Sequence, residues 1–203
     1  MARQCGGHAH DPVQIRRRRG LWRLSGLALL LALLGLPTLR APRAQPVSAT
    51  EYQVKAAYLL KFGSYVEWPP QAFEQRDSPL VIGVLAADAV AEEVERAAVA
   101  AMVEGRPVQV RRLDQSDAGT AGAHMLFIDR SRSGQLADTL SLARGRPLLT
   151  VTESEQALAS GSMINFVIVE NKVRFDIALA PAEAGQLKIS ARLLSVARRV
   201  LRG

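Results

Sequence analysis

The sequence predicts an α/β fold: a single domain with a mostly parallel sheet, helices on both faces, and a C-terminal β-hairpin plus helix. Two observations carry that expectation. Short apolar runs alternate with helical patterns at intervals of roughly 20 to 30 residues, the rhythm of strand–helix–strand units. The stretch from Gly161 to Asp176 then breaks the rhythm with two β-rich runs, Met163 to Val169 and Val173 to Ile177. The polar turn Glu170-Asn171-Lys172 joins them, and Asn tolerates the positive φ that tight hairpins require.

Taken in order, Thr50-Glu-Tyr-Gln53 fits a capping box, with Glu51 well placed for the helix dipole. Val54, Tyr58, Leu59, Phe62, Tyr65 and Val66 recur at helical spacing, so one face of this entry helix is buried. It is expected to run to Trp68, because Pro69 disfavours helical geometry in the residue before it. Leu80 to Leu85 is a continuous apolar run, as for a strand covered on both faces. Asp88 is expected to cap a helix with Val90, Val94, Ala97, Ala101 and Met102 inside, ended by Glu104-Gly105. Val108 to Leu113 alternates imperfectly and suits a strand nearer an edge, followed by a loop from Asp114 to Gly122.

His124 to Asp129 reads as another buried strand, and Ser131 as the cap of a helix to Ala143. Gly145-Arg-Pro introduces the strand Leu148 to Val151. Thr152-Glu-Ser-Glu155 is a second capping box, opening a short helix that Gly161 closes. After the hairpin, Leu187 to Leu194 reads as a final amphipathic helix. Its basic continuation, with Arg192, Arg198, Arg199 and Arg202, reads as a solvated face, since cations suit a helix C-terminus; a membrane-surface role is the alternative.

The 203 residues, 48% of them apolar, are ample for one core. The net charge of +7 is unevenly placed: residues 1–49 hold eight of the 26 basic residues and one of the 19 acids. Residues 50–203 therefore carry 18 of each and are electrically balanced. A nucleic-acid role, which needs a basic footprint on the folded domain, loses its support. Arg16 to Arg19 followed by the apolar run Leu21 to Leu36 has the form of a secretory signal, with cleavage near Ala44 or Ala49. The apolar run is short of the roughly 20 residues a spanning helix needs, and Arg23 and Ser25 interrupt it. An uncleaved anchor is the alternative. The expected division is thus a signal peptide and short linker over 1–49 and one exported domain over 50–203. Cys5 precedes the apolar run, so the exported domain has no cysteine and no disulfide.

Lys55-Ala-Ala-Tyr-Leu-Leu-Lys-Phe62, Val66-Glu-Trp-Pro69, Gly105-Arg-Pro-Val108 and Gly145-Arg-Pro-Leu148 are collinear with a known pattern. Gly161-Ser-Met-Ile-Asn-Phe166, Val173-Arg-Phe-Asp-Ile177 and Leu187-Lys-Ile-Ser190 match it most strongly. In order and spacing, nearly the whole of 52–201 resembles the YfiR family. The resemblance implies a periplasmic regulator that binds the periplasmic sensor domain of an inner-membrane diguanylate cyclase and represses it. Lower cyclic-di-GMP and less biofilm would follow, and a homodimer is in keeping with the family. The family's type member has paired cysteines linked to envelope redox state, one of them at the position of Asn165, so that switch is closed here.

The same resemblance places Glu67, Lys188 and Ser190 in a small-molecule pocket, where the type member has arginine at the Glu67 position. Trp68 beside Glu67 offers an indole to stack a planar ligand; the plainer reading is a core-edge Trp and a solvated Glu. Ser190 also reads as a helix N-cap, and Lys188 as an exposed charge able to pair with Glu67 or Asp176. Ile164 and Asp176 fall, by resemblance, on a surface patch that contacts the cyclase. From the residues alone, Ile164 reads equally as core, and Asp176 must face solvent or be paired. Asn165, opposite in alternation to Ile164 and Phe166, reads as a satisfied structural amide.

His124 is the single histidine after residue 49, with Asp129 at the far end of the same strand. No Gly-x-Ser-x-Gly, His-Glu-x-x-His, P-loop or Cys-x-x-Cys accompanies them, so no catalytic residue, metal or cofactor is expected. A periplasmic small-solute binding protein feeding a receptor or transporter is the second functional expectation.

Overall fold

The computed structural model describes residues 47–114 and 122–202, with side chains from residue 51 onward. The expected signal segment up to residue 46, and most of the loop before Gly122, lie outside the described residues. The elements run α1 (Val47–Ser64), β1 (Val66–Glu67), β2 (Leu80–Leu85), α2 (Asp88–Ala98), β3 (Met102–Val103), β4 (Arg106–Arg112) and β5 (Met125–Ile128). They continue with α3 (Leu136–Ala143), β6 (Leu149–Thr152), β7 (Ile164–Val169), β8 (Lys172–Ala178), α4 (Leu179–Ala184), β9 (Lys188–Ile189), α5 (Ala191–Val196) and β10 (Arg199–Leu201). Among the described residues an eight-stranded sheet has the order β3-β4-β2-β5-β6-β7-β8-β10, and β1 pairs with β9 apart from it. Strands β4, β2, β5, β6 and β7 are parallel neighbours, β7–β8 and β3–β4 are antiparallel hairpins, and β10 runs parallel to β8. The predicted fold class holds: a mostly parallel sheet in one α/β domain. No described helix is long and apolar enough to cross a membrane.

Alternation along the central strands sorts side chains between two layers. Ile82, Val84, Met125, Phe127, Leu149 and Val151 face the larger core with α1 and α2, whereas Leu126, Ile128 and Leu148 face α3 through Leu136, Leu140 and Ala143. Helices therefore cover both faces, and β2 is buried along its whole length. α1 is bound to the hairpin by rings: Phe62 lies 5.0 Å edge-on from Phe175 and 5.7 Å from Phe166, and Tyr58 lies 5.4 Å from Phe175. Such pairs add about 0.5–1.5 kcal/mol each beyond area burial.

Several local expectations yield to long-range pairing. α1 ends at Ser64, not Trp68, because Val66 and Glu67 pair with Ile189 and Lys188. α1 also begins at Val47, ahead of the Thr50 cap. α2 ends at Ala98, and Met102 lies in β3, exposed. Glu104 and Gly105, read as a helix stop, are the centre of the β3–β4 turn with φ of +49° and +77°. Asp88 makes no cap; Asp129 reaches across to accept from the Ala87 N–H at 3.2 Å. Asp129 rather than Ser131 caps the 3₁₀ segment Arg130–Gln135 that precedes α3. Thr152 opens no helix: it closes β6, and residues 153–161 form turns. The hairpin turn is as read, with Glu170 and Asn171 at φ +49° and +58°, the double positive φ that matches strand twist. Leu187 to Leu194 is β9 and the short α5, and the basic end is strand β10 in place of a continuing helix.

Candidate functional site

The β1–β9 ribbon brings the expected ligand-site residues together. Val66 pairs with Ile189 and Glu67 with Lys188, so the two charged side chains come from facing positions of one ribbon. Among the described residues Lys188 forms an ion pair with neither Glu67 nor Asp176, whose partners are Arg198 and Arg199. Ser190 caps α5 by accepting the Leu193 N–H at 3.3 Å, and its own N–H donates to the Tyr65 carbonyl at 2.9 Å. A cleft of about 380 Å³ opens on one side of β1, walled by Trp68, Phe73, Glu67, Glu104, Arg106 and Ser190. A second groove of about 610 Å³, sharing Glu67 and Trp68 with the first, lies among Pro70, Glu183, Gln186 and Lys188. All four sequence-predicted ligand residues thus touch one or both hollows.

Phe73 and Arg106 of the cleft lining belong to a stack that sequence reasoning did not assemble. The Arg106 guanidinium sits 3.8 Å over the Phe73 ring, and Phe73 stacks on His124 at 4.2 Å with the planes 15° apart. Trp68 meets Phe73 edge-on at 6.2 Å and its Nε1–H donates to the His124 carbonyl at 3.2 Å. Arg106 also donates to the carbonyls of Ser78 at 2.7 Å and Gln75 at 3.1 Å, so loop carbonyls fix its plane. The sequence signal was the Gly105-Arg-Pro motif, whose arginine directly follows the Glu104-Gly105 turn. Pro69 and Pro70 direct the chain into the 3₁₀ turn Pro70–Ala72, which delivers Phe73.

His124 is framework on both sides of its ring. Nδ1 accepts from the Val81 N–H at 3.1 Å and Nε2 donates to the Ala72 carbonyl at 3.0 Å, which defines the neutral tautomer. Burial pushes its pKa below the usual histidine value; the Ala72 hydrogen bond opposes this, and the positive Arg106 and Arg111 add to it. Asp129 accepts from the N–H groups of Ser131 at 2.6 Å and Ala87 at 3.2 Å. Both side chains are thus committed to backbone partners. Among the described residues no cluster of His, Cys, Asp or Glu has the geometry to hold a metal.

The two residues expected on a partner patch lie beneath the surface. Ile164 is 0% exposed in the core, one of its two readings. Asp176 is 1% exposed and paired: Arg198 grips it through Nε at 2.8 Å and Nη2 at 2.5 Å, and Arg199 adds a third contact at 3.0 Å. Register explains the burial. Thr152, Asn165, Asp176 and Arg199 are in register across β6, β7, β8 and β10, forming one polar row on the face opposite Ile164 and Phe166. Asn165 is the satisfied amide expected, its Oδ1 accepting from the Thr152 hydroxyl at 2.9 Å and the Ser154 N–H at 3.0 Å.

A second ionic cluster was missed. Lys55 on α1, 0% exposed, donates to Glu51 and, at 2.6 Å, to Glu153. Arg130 bonds the same two carboxylates. The Glu51–Lys55 spacing of four was a legible half of it; the chain-distant Glu153 and Arg130 were not.

Comparison with known proteins gives the fold and the family separately. Solved structures of similar fold include the ABC domain from Streptococcus pneumonia in complex with L-Trp, at TM-score 0.50 and 12% identity over 74% of this chain. The chain spans 60% of that protein's length, and at this identity the likeness is one of fold alone. No curated protein matches the chain. The family model described as YfiR/HmsC-like matches residues 52–198, and the chain belongs to that family.

Proposed function

We propose that the chain is a periplasmic regulatory adaptor that binds the periplasmic sensor domain of an inner-membrane diguanylate cyclase, holds the cyclase inactive and lowers cyclic-di-GMP signalling. The observation that carries this reading is the family match, one unbroken stretch over residues 52–198. In this reading residues 1–49 are a signal peptide and short linker that export the domain of residues 50–203. No reacting group is required of such an adaptor. It need only bind the inactive arrangement of the cyclase better, and its preference limits the effect: a shift from 1:99 to 99:1 takes about 10⁴-fold, ~5.5 kcal/mol. Glu67, Trp68, Lys188 and Ser190 form an effector site in this scheme, and Ile164 and Asp176 support the partner surface from beneath. Capture of the purified chain by the sensor domain of a cyclase from the same genome tests the proposal. A saturable complex is expected; the absence of any complex with each such domain contradicts it.

The aromatic cleft favours a second reading, a small-solute binding protein. Its volume of about 380 Å³ is within the range of small-molecule pockets, and the ABC domain of similar fold was solved with L-Trp. Thermal shift with aromatic amino acids and pyridoxal compounds separates the two: strong stabilisation without any partner supports solute binding.

A further inference from the structure

Charge in the domain is segregated along the chain. Residues 184–203 hold Lys188, Arg192, Arg198, Arg199 and Arg202 and no acid. Residues 50–183 then hold 13 bases against 18 acids. Lys188 lies in β9 and the four arginines in or beside α5 and β10; β10 is the last strand of the sheet, with β8 as its one strand neighbour among the described residues. Val196 is 63% exposed and Leu201 38% exposed beside these cations. One buried carboxylate, Asp176, serves both Arg198 and Arg199, whose side chains stay 42% and 58% exposed. Within that cluster two guanidinium groups face one carboxylate, so its pairing leaves one positive charge over at the edge.

We propose that the free edge of β10 is a docking strand for an extended acidic segment of another protein, one that alternates carboxylates with apolar residues. Strand addition uses the unpaired backbone of an edge, with side chains supplying specificity. Here Arg192 and Arg202 would select carboxylates, and Val196 and Leu201 would receive the apolar residues. A second copy of this chain is the wrong occupant, since edge-to-edge pairing would set two basic segments against each other. An anionic membrane is disfavoured because α5 has six residues, too few for an amphipathic helix lying in the interface. The inference does not depend on the cyclase assignment.

The test is fluorescence anisotropy of the chain with a labelled peptide alternating Glu and Val, about eight residues long, a typical strand length. Saturable binding is expected, weakening about tenfold or more in the Arg192→Glu/Arg202→Glu chain, as for removal of steering charges at an interface. Neither arginine bonds Asp176, so an unchanged Tm is expected to accompany that loss. Methylating alternate peptide nitrogens should abolish binding, and a Lys–Val peptide should not bind. Equal binding of the methylated peptide, or no binding of the parent, overturns strand docking. So does binding to phosphatidylglycerol vesicles in place of the peptide, or dimerisation that the Arg192→Glu/Arg202→Glu chain loses.

Discussion

Lys55 and Asp176 are both buried charges, and the domain neutralises them in different ways. Lys55 sits with Glu51, Glu153 and Arg130, two cations against two anions between α1 and the end of β6, with Lys55 buried and Arg130 57% exposed. Asp176 sits with Arg198 and Arg199, one anion against two half-exposed cations at the sheet edge. The first cluster closes on itself and acts as a fastener for the entry helix. The second leaves positive charge over, and the proposed docking edge relies on that surplus. Charge balance, more than burial, separates an internal device from an external one.

The largest expected effect is on the closed cluster. Lys55→Met leaves two nearly buried carboxylates with Arg130 alone and should cost about 3–5 kcal/mol, the range for stranding buried charge. Urea denaturation checks it, and adding Glu51→Gln and Glu153→Gln should recover most of the loss. The open cluster should respond less, because its arginines regain water on release. Asp176→Asn should cost about 1.5–3 kcal/mol, the scale of hydrogen bonds to charged groups, and Arg198→Ala should cost more than Arg199→Ala. Equal losses at Lys55 and Asp176 would erase the distinction between the clusters.

His124 sharpens the comparison from the side of titration. Its folded pKa is depressed by burial, so the unfolded chain binds more protons below the ordinary value of about 6.5. Its contribution to stability is therefore present above that pH and is lost as pH falls through the window beneath it. Tm should drop between pH 7 and 5 in the parent, and His124→Gln should flatten that slope. The smallest effect belongs to an exposed pair, Arg112 bidentate on Glu95 at 2.7 and 2.8 Å. The hydrogen bond from Arg112 lowers the Glu95 pKa, yet both side chains meet solvent, so Glu95→Gln should change stability by less than about 1 kcal/mol.

Elements that own their signal were legible in the sequence. β2 is apolar throughout because it is covered twice, and Glu170-Asn171 accepts the positive φ of its turn, so both were readable without a partner in view. Ser190 as a cap and Asn165 as a satisfied amide were legible for the same reason. What failed were local signatures overruled from far away. Thr152-Glu-Ser-Glu155 has the spacing of a capping box, but the Thr152 hydroxyl bonds Asn165 across the sheet and Glu153 turns to Lys55. Arg198 to Leu201 has the cations of a helix end, but its backbone pairs with β8. Of the expected site residues, the family resemblance picked out Glu67, Lys188 and Ser190 and the indole picked out Trp68; the structure sets all four around the β1–β9 ribbon. The Arg106–Phe73–His124 stack was not legible, since three distant segments build it.

The most direct measurement of the central claim is the cyclic-di-GMP content of cells with and without this chain. The account predicts that deletion raises cyclic-di-GMP, and that restoring residues 1–203, but not residues 50–203 alone, returns the level to normal. Unchanged cyclic-di-GMP on deletion, or full rescue by a chain confined to the cytoplasm, would contradict it.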